Sequence, residues 1–213
     1  GEPTGVVVSL MPRRNCIQRP DSFGNLKLVA ANVDCGLIVL APEPVAHANL
    51  IDRYLVALHA LDIRPVLILN KSDLLTHDHP MVQLAVSYQA LGYCCLQVSA
   101  QDESTLAPLK ELLATGTSIL VGQSGVGKSS LLQALLPHEA IKIGELSEGV
   151  AKGRHTTTHA RLYAFVSGGQ CIDSPPRPKL PSCLNGERRK HLGWRYLQPS
   201  PQISPCLSCH SPK

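Results

Sequence analysis

Residues 122–130 combine closely spaced glycines with a lysine and several serines. The segment fits the pattern GxxxxGK[ST] and lies between an apolar run and an amphipathic one, as a phosphate-binding loop requires. In such a loop, backbone N–H groups face phosphate oxygens, the Lys128 ammonium adds positive charge, and the Ser129 hydroxyl can coordinate Mg²⁺. This context disfavours the alternative, a chance glycine-rich turn. The predicted phosphate site comprises Gly122, Gln123, Ser124, Gly125, Val126, Gly127, Lys128, Ser129 and Ser130.

A second polar segment, Asn70-Lys71-Ser72-Asp73, directly follows the apolar run of residues 65–69. The Asp73 carboxylate can accept hydrogen bonds from the ring N–H and the exocyclic amine of guanine, whereas adenine offers neither donor on that edge. Asn70 can hold the other side of the base and the loop, and the Lys71 stem can lie along the ring. Taken alone, these four residues fit an Asn-initiated turn equally well.

The next apolar run along the chain ends at Val98 and is followed by Ser99 and Ala100, whose backbone N–H groups could bind the guanine carbonyl oxygen. Because parallel strands bind ligands at their carboxyl edge, all three loops should meet there. The sequence therefore predicts a guanine-nucleotide site. A P-loop phosphotransferase that uses ATP is the alternative, favoured if an Asp73→Asn change leaves guanine preference unaltered.

The segments around these motifs predict an α/β protein. The apolar runs 36–41 and 65–69 suit strands buried on both faces, and leucines at helical spacing between them predict a crossover helix. The alternation continues with helices near 80–91, 102–113 and 128–136, and with strands at 93–98, 118–121, 162–166 and 170–172; residues 137–160 are polar and predicted to form a loop. We therefore expect a P-loop NTPase fold with a doubly wound, mainly parallel sheet.

The order of the motifs is reversed relative to ordinary small GTPases, because the base-reading segment precedes the phosphate loop. With this order, the segments VDCGLIVLAPEP, NLIDRYLVAL, NKSDLL, VSA, GQSGVGKSSLLQALLP and GRHTTT closely resemble the circularly permuted, ribosome small-subunit-dependent GTPases of the RsgA type. The resemblance covers about residues 13–175. It implies a cytoplasmic enzyme that hydrolyses GTP to GDP and phosphate, with the small ribosomal subunit and its rRNA as partners.

The same resemblance implies two switch segments. In the first, one of Thr156, Thr157 and Thr158 should complete the Mg²⁺ shell, and His155 could orient the attacking water, although a plain surface histidine is an equal alternative. In the second, Asp173 should hold Mg²⁺ through water. Family members read Asp-x-Pro-Gly there, and Pro176 of this chain has no N–H to offer the γ-phosphate. A guanine-nucleotide binder with impaired hydrolysis, or a truncated and non-functional member, is therefore the alternative function.

Composition divides the 213 residues unevenly. Residues 174–213 hold seven basic residues and one acidic residue, so the +4 net charge of the whole chain arises in this proline-rich end. Residues 5–10 are predicted from their composition to form a strand. The resemblance implies that residues 1–33 are a remnant of an oligonucleotide-binding barrel with a linker. Residues 34–176 are the permuted GTPase domain. Residues 177–213 are a disordered basic tail in place of the family's zinc domain.

The sequence gives weaker indications of a zinc site, a haem site or a membrane-spanning segment than of the nucleotide site. The family's zinc site is doubtful here because its spacing is absent, and no zinc ligands are assigned among Cys183, Cys206, Cys209, His191 and His210. The same end fits a haem-attachment pattern weakly, and its basic and aromatic residues suit either RNA contact or a solvated charge run. Apolar runs break well short of the roughly 20 residues that span a bilayer. We expect Mg²⁺ as cofactor, no membrane, and a monomer.

Overall fold

The computed structural model describes residues 8, 9, 11–20, 25–136 and 160–173. In this part of the chain, the first two strands, β1 (Cys16–Pro20) and β2 (Leu26–Ala31), form an antiparallel pair. The other strands are β3 (Cys35–Leu40), β4 (Arg64–Leu69), β5 (Cys94–Gln97), β6 (Thr117–Val121), β7 (Arg161–Ala164) and β8 (Gln170–Asp173). They form one sheet in the order β5-β4-β3-β6-β8-β7.

Helices cover both faces of the sheet. They are α1 (Ala48–His59), α2 (Pro80–Ala90), α3 (Ala107–Leu113) and α4 (Lys128–Leu135). Side chains alternate along β3, so that Ile38 and Leu40 pack with α1 and α2, while Leu37 and Val39 pack with α3 and α4. All pairings in the sheet are parallel except that of β7 with β8. The predicted doubly wound, mainly parallel fold is therefore confirmed.

The order of the strands reverses between β3 and β6. From β3 the chain proceeds outward through β4 to β5, and β6 then returns to pair with the opposite side of β3. Such a reversal opens a crevice at the carboxyl ends of the two strands, where α/β sheets bind ligands. The glycine-rich loop follows β6 directly, so the predicted phosphate site lies at this crevice.

The antiparallel pair β1–β2 was not predicted. Of the strand expected over 5–10, only residues 8 and 9 are described, and neither belongs to a strand. The pair packs against the sheet, because Ile17 and Ala30 join the same buried cluster as α1 and α2. Its pattern is hard to recognise because the pair is short and its register shifts between Ile17 and Gln18, which interrupts the alternation of apolar residues.

The helix predicted over 102–113 is divided. A 3₁₀ turn (Glu103–Leu106) precedes α3, and the Asp102 side chain caps it by accepting from the Ser104 N–H at 3.0 Å. Pro108, near the start of α3, lacks the N–H that a continuous helix would use at that point. No helix in the described ranges is long and apolar enough to cross a membrane.

Candidate functional site

The loop after β6 depends on its glycines. Gly122, Gly125 and Gly127 have φ angles of 149°, 87° and 88°, a region that side chains disfavour. A Cβ on Gly127 would lie 2.5 Å from Asn70 Nδ2, and one on Gly122 would overlap the carbonyl oxygen of Val39. The loop therefore approaches the ends of β3 and β4 so closely that only glycine fits at these two positions.

Lys128 begins α4 and directs its ammonium back into the loop, where the side chain is buried. Its Nζ donates to the carbonyl oxygens of Gly122 at 2.9 Å and Gln123 at 2.7 Å. Burial lowers the pKa of Lys128, although the Asp173 carboxylate acts in the opposite direction. Burial likewise raises the pKa of Asp173, against the effects of Lys128 and Arg161. For both groups the effect of burial on the pKa exceeds the opposing effect of the nearby charges.

Asn70, at the end of β4, connects that strand to the glycine-rich loop. Its side chain is 1% exposed, and Nδ2 donates to the carbonyl oxygens of Val126 at 2.9 Å and Gly127 at 3.5 Å. Asn70 Oδ1 and Gln123 Oε1 are buried without a hydrogen-bond partner among the described residues. An unpaired buried acceptor costs about 1–3 kcal/mol, and a ligand or an ordered water commonly satisfies such an atom.

Lys71 joins three loops. Its backbone is left-handed, with a φ of 59°, and its Nζ donates to the carbonyl oxygens of Glu43 and Gly125, each at 2.9 Å. Glu43 belongs to the segment after β3, and Gly125 to the loop after β6. These two bonds fix the position of the Lys71 side chain across the crevice. Its aliphatic part could therefore lie along the ring of a bound base.

Asp73 and Ser99 join the ends of β4 and β5. The Ser99 hydroxyl donates to Asp73 Oδ1 at 2.5 Å, and the Ser72 N–H donates to the carbonyl oxygen of Val98 at 3.0 Å. Ser99 is 1% exposed, whereas Asp73 is exposed. The serine thus holds the carboxylate from the protein side and leaves it open toward the crevice. The predicted base-reading residues Asn70, Lys71, Asp73 and Ser99 lie on connected loops at one edge.

The chain is similar in sequence to one family of known proteins. The model of the RsgA GTPase family matches residues 10–178. The chain belongs to the RsgA GTPase family. Among curated relatives, the small ribosomal subunit biogenesis GTPase RsgA of Hahella chejuensis is 53% identical over 174 residues, which cover 81% of this chain and 50% of the relative. The corresponding protein of Marinobacter nauticus is 51% identical over 200 residues, 92% of this chain and 57% of the relative.

Two solved structures are similar to this chain in fold. YjeQ from Thermotoga maritima superposes with a TM-score of 0.61 at 30% identity, covering 79% of this chain and 54% of that one. YloQ, described as a circularly permuted GTPase, superposes with a TM-score of 0.54 at 26% identity, covering 81% and 60%. The chain spans about half the length of the curated relatives it matches.

Some residues singled out in the sequence lie outside the described residues. These are His155, Thr156, Thr157 and Thr158 of the first switch, Pro176, and the cysteines and histidines of residues 177–213. Among the described residues, Ser124, Ser129 and Ser130 are exposed at the rim of the loop. No group of three or more potential metal-ligating side chains occurs in the described part.

Sequence reasoning missed residues that act through less distinctive groups. Glu43 contributes only its backbone carbonyl, which any residue type supplies, so its position after an apolar strand was the one available signal. Thr105 accepts from the Ser99 N–H at 2.8 Å, and nothing about an isolated threonine indicates that contact. Arg161 acts on Asp173 from the edge strand β7, a pairing visible only in the register of β7 with β8.

Proposed function

We propose that this chain binds guanine nucleotides with Mg²⁺ and hydrolyses GTP to GDP and phosphate. The observation that carries the proposal is the connection of three loops at the carboxyl edge of β4, β5 and β6. Asn70 bonds the glycine-rich loop at 2.9 Å, Lys71 bonds it at 2.9 Å, and Ser99 bonds Asp73 at 2.5 Å. A base and a phosphate chain can therefore be held across one continuous surface.

Guanine recognition falls to the loops after β4 and β5. Asp73 would accept hydrogen bonds from the guanine ring N–H and amine, and adenine would leave this carboxylate unpaired. The Ala100 N–H would donate to the guanine carbonyl oxygen. Asn70 and the Lys71 stem would border the base, with Ser72 completing the turn.

The phosphates belong to the loop of residues 122–130, with Lys128 opposite the β- and γ-phosphates. The donor set fits Mg²⁺, because the Ser129 hydroxyl and the Asp173 carboxylate are the hard oxygen ligands this ion prefers. Asp173 would act through water. When bound, Mg²⁺ neutralises charge on the phosphate oxygens. Lys128 would exchange its carbonyl partners Gly122 and Gln123 for phosphate oxygens.

The switch assignments and domain limits remain part of this proposal. One of Thr156, Thr157 and Thr158 would complete the magnesium shell, and His155 would orient water. The domain limits are 1–33 for the barrel remnant, 34–176 for the GTPase domain and 177–213 for a basic tail. The small ribosomal subunit and its rRNA are the proposed partners of this chain, in the cytoplasm and as a monomer. The curated relatives are named for small ribosomal subunit biogenesis, which supports the subunit as a partner.

A second candidate function is guanine-nucleotide binding with impaired hydrolysis. Pro176 favours it, because proline lacks the backbone N–H that glycine would offer the γ-phosphate in the family's Asp-x-Pro-Gly motif. The GTPase and the binder would have the same affinity for guanine nucleotides, but only the GTPase would turn GTP over. A Pro176→Gly variant should raise turnover without changing GDP affinity if the missing N–H limits hydrolysis.

The deciding experiment measures GDP and ADP affinity and GTP turnover, with and without small ribosomal subunits. Preference for GDP with subunit-stimulated turnover supports the GTPase. Preference for GDP without turnover supports the binder. Equal affinity for GDP and ADP, unchanged by Asp73→Asn, would overturn both and favour an ATP-dependent phosphotransferase.

A further inference from the structure

The turn that follows β5 is organised around one hydroxyl group. Thr105 Oγ1 accepts a hydrogen bond from the Ser99 N–H at 2.8 Å and lies 2.7 Å from the carbonyl oxygen of Asp102, to which it donates. The same oxygen is 3.3 Å from the Ser99 carbonyl. Thr105 thus closes a ring across residues 99–105 from within the turn, because one hydroxyl can donate and accept at once.

These contacts decide which amide of the turn is available to a ligand. The Ser99 N–H is bound by Thr105, the Gln101 N–H by the Ser99 hydroxyl at 3.2 Å, and the Asp102 N–H by the Ser99 carbonyl at 3.2 Å. In the described part of the chain, the Ala100 N–H is the amide of residues 99–102 that has no such partner. Ala100 as a residue is half-buried.

We propose that Thr105 is a positioning residue for guanine recognition, acting on two contacts at once. It orients the turn so that the Ala100 N–H meets the carbonyl oxygen of the base, and it fixes Ser99, whose hydroxyl holds Asp73. This inference rests on the proposed function, because it assigns a determinant of specificity to the same site. The Thr105 hydroxyl is itself engaged with backbone groups of the turn, so its role is to position the groups that would meet the base.

Burial explains why the hydroxyl matters. Ser99 is 1% exposed, so removing its partner would leave a buried N–H without a hydrogen bond. The turn can recover a bond only by moving Ser99 toward water or another acceptor. Either movement displaces the neighbouring Ala100 N–H and lengthens the bond from Ser99 to Asp73. Hydrogen-bonded recognition is sensitive to displacements of this kind.

The test compares Thr105→Val, which has nearly the same shape without the hydroxyl, with Thr105→Ser, which retains it. Ser104→Ala is the matched control, because the Ser104 hydroxyl bonds only the Asp102 side chain, at 2.7 Å. Dissociation constants are measured for GDP, IDP and ADP with Mg²⁺. IDP retains the carbonyl oxygen of guanine but lacks its amine, and ADP lacks both groups.

We expect Thr105→Val to weaken GDP and IDP binding by about tenfold, the usual effect of one lost hydrogen bond, and to leave ADP binding unchanged. Thr105→Ser and Ser104→Ala should bind all three nucleotides as the parent chain does. The inference is overturned if Thr105→Val binds GDP normally, if it weakens all three nucleotides alike, or if Thr105→Ser behaves as the valine variant does. A parent chain without preference for GDP over ADP instead overturns the proposed function.

Discussion

Asp73 carries the charge that would distinguish guanine from other bases. Because Ser99 bonds Oδ1, an Asp73→Asn variant keeps an oxygen acceptor for that serine and loses only the negative charge and one acceptor. The amide N–H₂ of the variant cannot accept from the guanine amine, because both groups are donors. Xanthine has a carbonyl in place of that amine, and this carbonyl could accept a hydrogen bond from the amide.

We expect Asp73→Asn to lower GDP affinity by about 100-fold, equivalent to about 2.8 kcal/mol, and to raise the affinity for XDP. Competition of both diphosphates against a fluorescent guanine nucleotide measures the change. Asp78→Asn, which removes the same charge from an exposed residue in the next turn, should have no effect. Parallel losses for GDP and XDP would contradict the assignment of Asp73.

Lys128 is the buried cation of the glycine-rich loop, and we expect it to serve phosphate binding. Its buried ammonium bonds only backbone carbonyls of its own loop, and burial lowers its pKa. Removing the ammonium would relieve the cost of burying that charge, but it would leave the carbonyl oxygens of Gly122 and Gln123 without this donor and the buried Asp173 carboxylate without the Lys128 charge.

We expect Lys128→Met to lower GDP affinity by about 100-fold and to lower the free energy of unfolding by about 1–3 kcal/mol, so that the chain stays folded. Isothermal titration and urea unfolding test the two parts. Lys110→Met, which removes an exposed lysine paired with Glu103, serves as the control and should change neither strongly. Loss of folding in Lys128→Met would show that the lysine is structural.

At the level of the elements, the glycine-rich loop is the most constrained connection. Gly127 and Gly92 both have left-handed backbones, with φ angles of 88° and 90°. Gly92 lies exposed after α2, whereas a Cβ on Gly127 would meet the Asn70 amide. Substituting alanine at Gly92 measures the cost of backbone strain alone, whereas the same change at Gly127 adds the effect of disturbing the site.

Both Gly127→Ala and Gly92→Ala should lower the free energy of unfolding by about 1–2 kcal/mol, the cost of a left-handed residue with a side chain. Only Gly127→Ala should also weaken GDP binding, by about tenfold or more, because Asn70 must release Val126. Equal nucleotide binding by the two variants would contradict a tight contact between the loop and β4.

The elements also show what could be predicted from the sequence. The strands β3, β4 and β6 were predictable because burial on both faces requires continuous apolar runs. The pair β1–β2 was not, because it is short, partly exposed and irregular in register. In the site, residues that act through distinctive side chains, such as Asp73, followed from motifs. Glu43 and Thr105 did not, because Glu43 acts through its own backbone carbonyl and Thr105 on a backbone N–H, and only folding brings these partners together.

The amino edge of the sheet joins the N-terminal segment to β6. Asp34 bonds the Arg14 guanidinium at 2.7 Å and accepts from the Thr117 N–H at 2.8 Å. The pKa of Asp34 is lowered from 3.8, first by Arg14. A lowered folded pKa means that the carboxylate stabilises the fold above 3.8, and that this contribution is lost as the pH falls through the folded pKa.

Asp34→Asn should therefore unfold at lower urea concentration than the parent chain at pH 7, and the difference should shrink as the pH falls below 3.8. Urea midpoints at several pH values measure it. Glu103→Gln is the control, because its exposed pair with Lys110 joins only one local turn and helix. A difference that stays constant with pH would contradict a role for the charge.

At the scale of the whole molecule, the loops of the candidate site are the ends of the same strands that form the hydrophobic core. The sheet that ends in the three loops is buried between two hydrophobic clusters, and β1–β2 adds to one of them. A ligand that binds only when β4, β5 and β6 are aligned must therefore stabilise the complete core against unfolding. Nucleotide binding should consequently be visible in the thermal unfolding of the chain.

With GDP and Mg²⁺ at 100 times the dissociation constant, linkage predicts about 2.7 kcal/mol of added stability. For a chain of this size that corresponds to a rise in Tm of about 5–10 °C. Chelating Mg²⁺ should reduce the rise, because Ser129 and Asp173 then lose their shared cation, and ADP at the same concentration should give a much smaller one. Equal shifts with GDP and ADP would mean that the loops after β4 and β5 do not read the base. A GDP shift that survives in Lys128→Met would mean that the nucleotide binds elsewhere, because the buried lysine is the cation held within the glycine-rich loop.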